Sequence, residues 1–437
     1  MKEQIKQSSL GGKELAGLQK ATFGYFLKET NPDNGMVPDN TKQDSAASIT
    51  AIGFALTAYP IGVERGYLTR AEAVERTLVT LRFFWNSEQS NAPDATGYRG
   101  FYYHFLDMQT GRRAPASELS TIDTAFLLGG FLTAGMYFDR ETKKEKEIRT
   151  LAQALYARAD WSWAQNGALK VSLGWKPETG FIKYRWEGYS EALILYVLGL
   201  GSPTHALPAE SYAAWTHTYK WKRLYDQEFL YAGPLFIHQL SHVWIDFRGI
   251  QDDYMRARGL DYFDNSRRAV YVQQQYAIRN PKKFAGYGKH AWGITASDGP
   301  GPARRKINGI MREFYDYVSR GIPNGPDDGT LAPWAVVASL PFAPELVLPS
   351  IKHFNEAYPE LTSKYGFKCS YNPTFAAGKN KRSTGWISQG YYGIDQGPIV
   401  MMIENYRTGF LWRLMRQSPA IQIGLRRAGF TGGWLQE

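Results

Sequence analysis

The chain has 437 residues, of which 43% are hydrophobic and 15% aromatic, and its formal net charge is +10. This length does not decide between one and two domains, because closed barrels run larger than the usual single domain. Lys and Arg occur in short groups instead of one continuous patch, so nucleic acid is not an expected partner.

The sequence lacks the usual signals of a metal, redox or membrane protein. Cys369 is the single cysteine, so no intramolecular disulfide can form and no set of thiolates can hold a metal. The first seven residues are polar, and no apolar run reaches the roughly 18 residues that a membrane span needs. We expect a monomer without cofactor, metal or membrane span.

Two kinds of helix alternate along the chain after a polar segment, residues 1–12, that is expected to fray. One kind is apolar nearly all round, as in a helix buried on every side. It is predicted for residues 45–59, 119–138, 191–200 and 398–414. The other kind is amphipathic: Thr69 and Glu72 form a capping-box pattern before an apolar stripe, and a charged helix starts near Thr142.

This alternation indicates an inner ring of helices sheathed by an outer ring. With roughly thirty-six residues per helix and its loop, the chain suits six helical hairpins. The predicted fold is therefore all-α, a single (α/α)6 barrel over residues 13–437 with irregular loops and short strands at its mouth. No low-complexity linker divides this stretch.

Glu191, in Gly188-Tyr-Ser-Glu191-Ala, opens one of the buried helices, and Glu187 lies four residues earlier. On a helix the two would share a face with β-carbons about 5–6 Å apart, and two like charges that close cannot both ionise cheaply. An apolar wall formed by Trp186 and Tyr189 would raise the pKa of the drier carboxyl, as a general acid requires. Alternatively, one glutamate stabilises the helix amino terminus and the other pairs with Arg185.

A second carboxylate, Asp395, lies in Gly393-Ile-Asp395-Gln396-Gly397-Pro398. Pro398 is well placed as the first residue of a buried helix, which puts Asp395 in the preceding loop. Loops held by a rigid scaffold often carry catalytic groups. The alternative is a turn-forming aspartate bonded to its own backbone. Two such carboxylates in an aromatic-rich chain indicate sugar chemistry.

Further polar residues are candidates for substrate contact, each with a structural alternative. Asp123 either binds sugar hydroxyls or caps a helix, and Asp246 with Arg248 either binds substrate or forms a salt-bridge network. His238-Gln-Leu-Ser-His242 has the histidines of a zinc helix but not its glutamate, so packing or substrate contact by His242 is expected.

Aromatic residues in the predicted mouth loops are candidates for stacking on sugar rings. Trp292, followed by Asp298, and Trp334 lie in Gly- and Pro-rich segments, and Trp186 and Trp386 lie in two more. Such scattered rings suit a bent glycan chain better than a flat one. Together, the predicted substrate-binding residues are Asp123, Trp186, Glu187, Tyr189, His242, Asp246, Arg248, Trp292, Asp298, Trp334 and Gln396.

Several sequence blocks, taken together, resemble one bacterial family. They are Ser120-Thr-Ile-Asp123-Thr-Ala, Gly188-Tyr-Ser-Glu191-Ala, Gly201-Ser-Pro-Thr-His205, Asp298-Gly-Pro, Gly329-Thr-Leu-Ala-Pro333 and Gly393-Ile-Asp-Gln-Gly-Pro398 with Glu404-Asn-Tyr. In their order, from about residue 21 to residue 414, they resemble the glucoamylase-like family that includes the endo-β-1,2-glucanases of glycoside hydrolase family 144. Ser190, where an asparagine is expected, and the segment around Cys369 depart from that pattern.

The resemblance implies a single (α/α)6 barrel that hydrolyses β-1,2-glucan by inversion and without a metal. It implies Glu191 as general acid and Asp395 as base, acting on water directly or through a substrate hydroxyl. The leading hypothesis is endo-acting cleavage of β-1,2-glucan or its oligosaccharides. The alternatives are an exo-acting relative that releases sophorose, a hydrolase of another β-glucan, and a glycan-binding protein. We expect a periplasmic or secreted bacterial protein if a signal peptide has been removed, and a cytoplasmic one otherwise.

Overall fold

The computed structural model describes residues 2–375 and 385–436, with side chains from residue 12 onward. Helix is its main secondary structure, with fifteen α-helices in the described residues. They are α1 Lys2–Lys28, α2 Ile49–Glu64, α3 Arg70–Asn86, α4 Thr121–Tyr137, α5 Lys143–Ala157, α6 Trp161–Ala164, α7 Leu193–Gly201, α8 Glu210–Thr216, α9 Asp253–Arg256, α10 Tyr262–Arg279, α11 Pro333–Ala338, α12 Pro344–Ala357, α13 Gly393–Thr408, α14 Phe410–Met415 and α15 Pro419–Arg427. Four 3-10 helices cover Leu235–His238, Leu240–Val243, Pro359–Leu361 and Gly433–Leu435.

The strands are short and lie mainly in the segments between helices. They are β1 Ala47–Ser48, β2 Gly97–Tyr98, β3 Phe101–Tyr103, β4 Phe105–Leu106, β5 Leu119–Ser120, β6 Gly174–Lys176, β7 Gly180–Phe181, β8 Trp221–Leu224, β9 Gln227–Leu230, β10 Ala296–Ser297, β11 Ala303–Ile307, β12 Ile310–Phe314, β13 Val318–Ser319, β14 Thr362–Ser363, β15 Gly366–Phe367, β16 Tyr371–Asn372 and β17 Trp386–Ile387. Five of them form an antiparallel sheet in the order β2-β3-β5-β6-β7, and the other sheets are pairs. The mainly helical class with short strands in the loops is thus confirmed.

The described chain divides into two compact units. The unit that contains Glu191, called the Glu191 unit below, comprises Phe26–Lys220, Ser241–Phe263 and Thr408–Glu437. The unit that contains Asp395, called the Asp395 unit, comprises Met1–Tyr25, Trp221–Leu240 and Asp264–Arg407. The closed (α/α)6 barrel, its single-domain organisation and the fraying of residues 1–12 stay predictions. Side chains of residues 1–11 lie outside the described part.

Within the Glu191 unit, the buried helices α2 and α4 pack backbone against backbone. A β-carbon added to Gly53 would lie 2.5 Å from the Phe126 carbonyl oxygen, and one added to Gly130 would lie 2.4 Å from the Gly53 carbonyl oxygen. Both distances are shorter than any real contact, so this approach requires glycine on both helices. The close contact fixes the first turn of α4, where Asp123 lies, against the start of α2.

The predicted helix starts are confirmed where capping residues define them. Thr69 and Glu72 form a complete capping box at α3, and Thr142 caps α5 by accepting the Glu145 amide. Such caps satisfy amides that lack an intrahelical partner.

The predicted start of the last buried helix is wrong. Helix α13 begins at Gly393, so Asp395 lies in its first turn and Pro398 lies inside the helix. The amides of Asp395 and Gln396 both donate to the Tyr392 carbonyl at 3.0 Å, so the turn forms before the proline is reached. The helix also ends earlier than predicted, because Gly409 adopts a left-handed φ of 66° and separates α13 from α14.

Candidate active site

Glu191 lies two residues before α7, in a turn whose conformation is set by the preceding residues. Gly188 adopts a φ of 72°, and its amide donates to the Trp215 carbonyl at 3.0 Å. The segment is therefore not helical, and the predicted shared helical face of Glu187 and Glu191 is wrong. Glu187 is exposed and pairs with Lys170, whereas Arg185 donates to the carbonyls of Gln165 and Lys170.

Ser241 fixes the backbone at the start of α7. Its hydroxyl donates to the Glu191 carbonyl at 3.1 Å and accepts the Ile194 amide at 3.1 Å. The amide of Ile194 is one of the first-turn amides of α7, which have no partner within the helix. A single side chain therefore satisfies the helix end and holds the Glu191 backbone in place.

The Glu191 carboxyl differs from that of a surface glutamate in its burial and in its pKa. The residue is half-buried. Desolvation raises its pKa to about 7, the negative charge of Asp123 adds to the increase, and a backbone hydrogen bond opposes it. A carboxylic acid that keeps its proton near neutral pH can protonate a leaving oxygen.

Asp123 is buried in the first turn of α4, where two hydroxyl groups hold its carboxylate. Ser120 donates to Oδ2 at 2.5 Å and caps the helix by accepting the Asp123 amide, while Thr50 of α2 donates to Oδ1 at 2.6 Å. Ser120 caps the helix, so the predicted capping role of Asp123 is wrong. Sugar binding by Asp123 stays a prediction, and the negative charge of Asp123 acts on Glu191.

His104, which no sequence pattern predicted as a site residue, lies beside Asp123. His104 Nδ1 is 3.0 Å from Glu118 Oε1, and its Nε2 is 3.5 Å from Asp123 Oδ1. Burial lowers the pKa of His104, but the charges of Asp123, Glu118 and Asp39 outweigh it and raise the value to about 9. The imidazole is therefore protonated at neutral pH.

Two aromatic candidates next to Glu191 keep accessible surface. Trp186 is half-buried, and its indole N–H donates to the Thr121 hydroxyl at 3.0 Å. Tyr189 is also half-buried and packs on Tyr262, with ring centroids 5.9 Å apart and planes 29° apart. Both rings lie beside the Glu191 turn and remain candidates for stacking on a sugar.

Asp395 is fully buried in its unit. Burial, followed by the charge of the neighbouring Asp395 carboxylate, raises the pKa of the Cys369 thiol well above its ordinary value. Cys369 therefore stays a neutral thiol that can donate. Its Sγ also accepts the Asp298 amide at 3.3 Å.

Asp298 and Gln396 surround this pair. Ser388 donates to Asp298 Oδ2 at 2.7 Å, and Ser370 donates to the Asp298 carbonyl at 2.6 Å. Gln396 is buried and donates to the Phe367 carbonyl at 3.3 Å. The Asp395 cluster is thus a buried polar network built from β10, α13 and the segments around β15 to β17.

Two predicted stacking platforms are wrong. Trp292 is fully buried, and its indole N–H donates to Ser350 at 3.0 Å. Trp334 is 2% exposed within α11. Rings without accessible faces cannot stack on a sugar, so both belong to the core. Trp386, half-buried in β17, keeps part of its surface.

The polar group after His242 forms a salt-bridge network. Asp246 has no exposed side-chain surface and pairs with Arg248 at 2.7 Å and with Arg416. The Arg248 guanidinium lies 4.4 Å from the Trp412 ring centroid. His242 is buried, with its ring centroid 4.9 Å from that of Phe247. The salt-bridge alternative describes this group, and these residues stay unproven as substrate contacts.

Within residues 2–375 and 385–436, no three His, Cys, Asp or Glu side chains are arranged to hold a metal ion. In the same part of the chain, no helix is both long and apolar enough to cross a membrane. Metal independence and compartment stay predictions.

Residues 183–419 match the protein family described as "Putative glucoamylase", a stretch that contains both Glu191 and Asp395. The chain belongs to this family. A structure with the same description from Bacteroides uniformis is 31% identical, with a TM-score of 0.85 over 97% of this chain and 98% of that one.

Two further relatives have more specific names. The structure of an endo-β-1,2-glucanase from Chitinophaga pinensis, in complex with sophorotriose and glucose, is 27% identical, with a TM-score of 0.85 over 97% of this chain and 99% of that one. An exo β-1,2-glucooligosaccharide sophorohydrolase (non-reducing end) from Parabacteroides distasonis is 27% identical over 94% of this chain. This chain spans 57% of the length of that protein.

Proposed function

We propose that the protein is a glycoside hydrolase that cleaves β-1,2-glucan with inversion of the anomeric configuration. Glu191 is the general acid and Asp395 the general base. The observation that carries the proposal is the half-buried Glu191 carboxyl, whose pKa of about 7 leaves it protonated near neutral pH. A purely structural carboxylate at a helix start would favour the ionised form.

The reaction balances as a single displacement. Glu191 gives its proton to the glycosidic oxygen as the bond from that oxygen to the anomeric carbon breaks. A water molecule attacks the opposite face of that carbon, and its proton passes to Asp395, directly or through a substrate hydroxyl. Asp395 is placed for this role in the first turn of α13, because a helix amino terminus favours the ionised form of a carboxylate, which is the form that accepts a proton.

The substrate class is supported by the relatives and by the chemistry of the accessible residues. An endo-β-1,2-glucanase and an exo β-1,2-glucooligosaccharide sophorohydrolase are each 27% identical to the chain. Trp186 and Tyr189 offer apolar faces next to Glu191, as a neutral sugar chain requires. We propose a β-1,2-linked glucan, acting as a polymer or as oligosaccharides.

Endo action is the first proposal, and exo release of sophorose is the second. The endo proposal follows the relative from Chitinophaga pinensis, which this chain covers almost completely. The exo alternative is favoured by the relative from Parabacteroides distasonis, of which the chain covers just over half.

The test is a time course with purified protein on linear β-1,2-glucan, cellulose and starch, with the products separated by size. We expect a range of short β-1,2-oligosaccharides from the first substrate and nothing from the others. Sophorose as sole product from the first minutes would replace endo with exo action. Glucose from starch would contradict the linkage, and binding of β-1,2-glucan without any product would favour a glycan-binding protein. The Glu191→Gln variant, purified in parallel, controls for contaminating hydrolases.

A further inference from the structure

Tyr184 is the most exposed of the large hydrophobic side chains in residues 12–375 and 385–436, at 69%. In the same part of the chain, its hydroxyl has no hydrogen-bond partner and its ring contacts no other ring. A single exposed ring is common on a protein surface, so exposure alone assigns no role. The backbone around Tyr184 gives the ring a defined place.

The backbone on either side of Arg185 is extended. The Tyr184 carbonyl accepts the Leu173 amide at 3.1 Å, and Arg185 lies opposite Ser172 in an antiparallel bridge. Side chains alternate between the two faces of an extended chain, so Tyr184 and Trp186 share one face and Arg185 lies on the other. Two such residues on one face are about 6.6 Å apart along the chain. The two aromatic side chains are therefore neighbours on this face.

Hydrogen bonds tie Trp186 to the elements around Glu191. Its amide donates to the Val171 carbonyl at 2.9 Å, and its carbonyl accepts the hydroxyl of Tyr196, a residue of α7, at 2.9 Å. Its indole N–H donates to Thr121, the first residue of α4, at 3.0 Å. Since Glu191 immediately precedes α7, the backbone that carries both rings is fixed to the helix behind the proposed acid.

The opposite face of the segment is anchored by Arg185. Its Nη1 donates to the Gln165 carbonyl at 2.6 Å and to the Lys170 carbonyl at 2.7 Å. Rotation of the segment about its own axis would break both bonds. The face that carries Tyr184 and Trp186 therefore has a fixed direction.

We propose that Tyr184 is an outer sugar-stacking residue, which binds the glucose unit next to the one that stacks on Trp186. This inference rests on the proposed function, which places a β-1,2-glucan chain at Glu191. A neutral sugar ring needs an apolar face with open space in front of it, and Tyr184 offers such a face. The spacing along the extended chain assigns the two aromatic rings to successive sugar units.

The test measures how affinity depends on chain length. Linear β-1,2-gluco-oligosaccharides of increasing length are titrated by calorimetry into the Glu191→Gln protein, in which the proposed acid is removed, and into the same protein with Tyr184→Ala. In the first protein, affinity should rise by about 2- to 12-fold at the length at which the chain reaches Tyr184, the range of one aromatic contact. The Tyr184→Ala protein should lack this rise.

Two further substitutions in the Glu191→Gln protein define the cause. Tyr184→Phe keeps the ring and should keep most of the rise. Trp85→Ala is the matched control, because Trp85 is an aromatic residue of α3 that is 43% exposed and packs on Arg158. It should keep the rise in full. A Phe variant that loses as much as the Ala variant would overturn stacking by the ring.

The outcomes distinguish this inference from the proposed function. If the wild-type protein cleaves β-1,2-glucan and Tyr184→Ala leaves the chain-length dependence of affinity unchanged, the role of Tyr184 fails alone. If the Glu191→Gln protein binds no β-1,2-glucan and the wild-type protein cleaves none, the proposed function fails and this inference fails with it.

Discussion

The surroundings of Glu191 and Asp395 differ in nearly every respect, although both are carboxylates at the start of buried helices. Glu191 is half-buried just before α7, and desolvation and the charge of Asp123 raise its pKa to about 7. Asp395 is fully buried within the first turn of α13, and its described neighbours include the Cys369 thiol. The difference teaches that helix position alone does not determine the properties of a carboxylate, because the burial and the neighbouring groups of the two side chains differ.

The largest expected effect is the loss of activity on substitution of Glu191, the proposed general acid. Glu191→Gln keeps the shape of the side chain but removes its proton, so kcat on β-1,2-glucan should fall by roughly 10²–10⁴ with substrate binding largely preserved. The matched control is Glu187→Gln, because Glu187 is exposed and pairs with Lys170. If Glu187→Gln is the inactive variant and Glu191→Gln is not, the assignment is wrong.

The next effect is the pH dependence of the wild-type protein. As the proposed general acid, Glu191 must be protonated to act, and its pKa is raised from 4.5 to about 7. Activity is therefore expected to persist below pH 7 and to fall about tenfold per pH unit above it. The measurement is kcat/KM between pH 5 and 9, and an alkaline limit near pH 5 would contradict the raised value.

A smaller effect on kcat is expected from substitution of Cys369, the neighbour of Asp395. Cys369→Ala removes the thiol that interacts with Asp395, and kcat should fall by about 2- to 12-fold, a change on the scale of one ordinary polar interaction. Cys369→Ser keeps a donor and should retain more activity than the alanine variant. Equal activities of the two variants would show that the donor has no influence on the reaction.

The smallest effect concerns stability and has a defined sign. Because the folded-state pKa of Glu191 lies above its unfolded value, stability is lost as pH rises from 4.5 through 7. Glu191→Gln should therefore be more stable than wild type at pH 8, by about 1–2 kcal/mol after allowance for solvent screening, and no more stable at pH 4. Urea denaturation at both pH values tests this, and a stabilisation that is equal at both would exclude ionisation as its cause.

Sequence patterns predicted the elements that local signals define. The caps at Thr69 and Thr142 and the apolar helices α2, α4 and α7 follow from short-range spacing. The spacing of Glu187 and Glu191 led to the wrong prediction that they share a helical face. The positive φ of Gly188 breaks the helical geometry that this prediction assumes.

Long-range contacts were beyond sequence reasoning. Asp39, Glu118 and Asp123 all act on His104, and no local motif marks this cluster. The segment around Cys369 was noticed as unusual, but the interaction of Cys369 with Asp395 joins residues 26 positions apart. Trp292 and Trp334 were wrongly predicted to stack on sugar rings, because aromatic composition does not reveal which rings keep an exposed face.

The central claim is that Glu191 and Asp395 act as acid and base in an inverting cleavage of β-1,2-glucan, and the stereochemistry of the first products tests it most directly. Proton NMR should be recorded during the first minutes of hydrolysis, before mutarotation mixes the anomers. The α-anomer should appear first from the β-linked substrate. An initial β-anomer would contradict inversion and with it the assignment of Asp395 as a base.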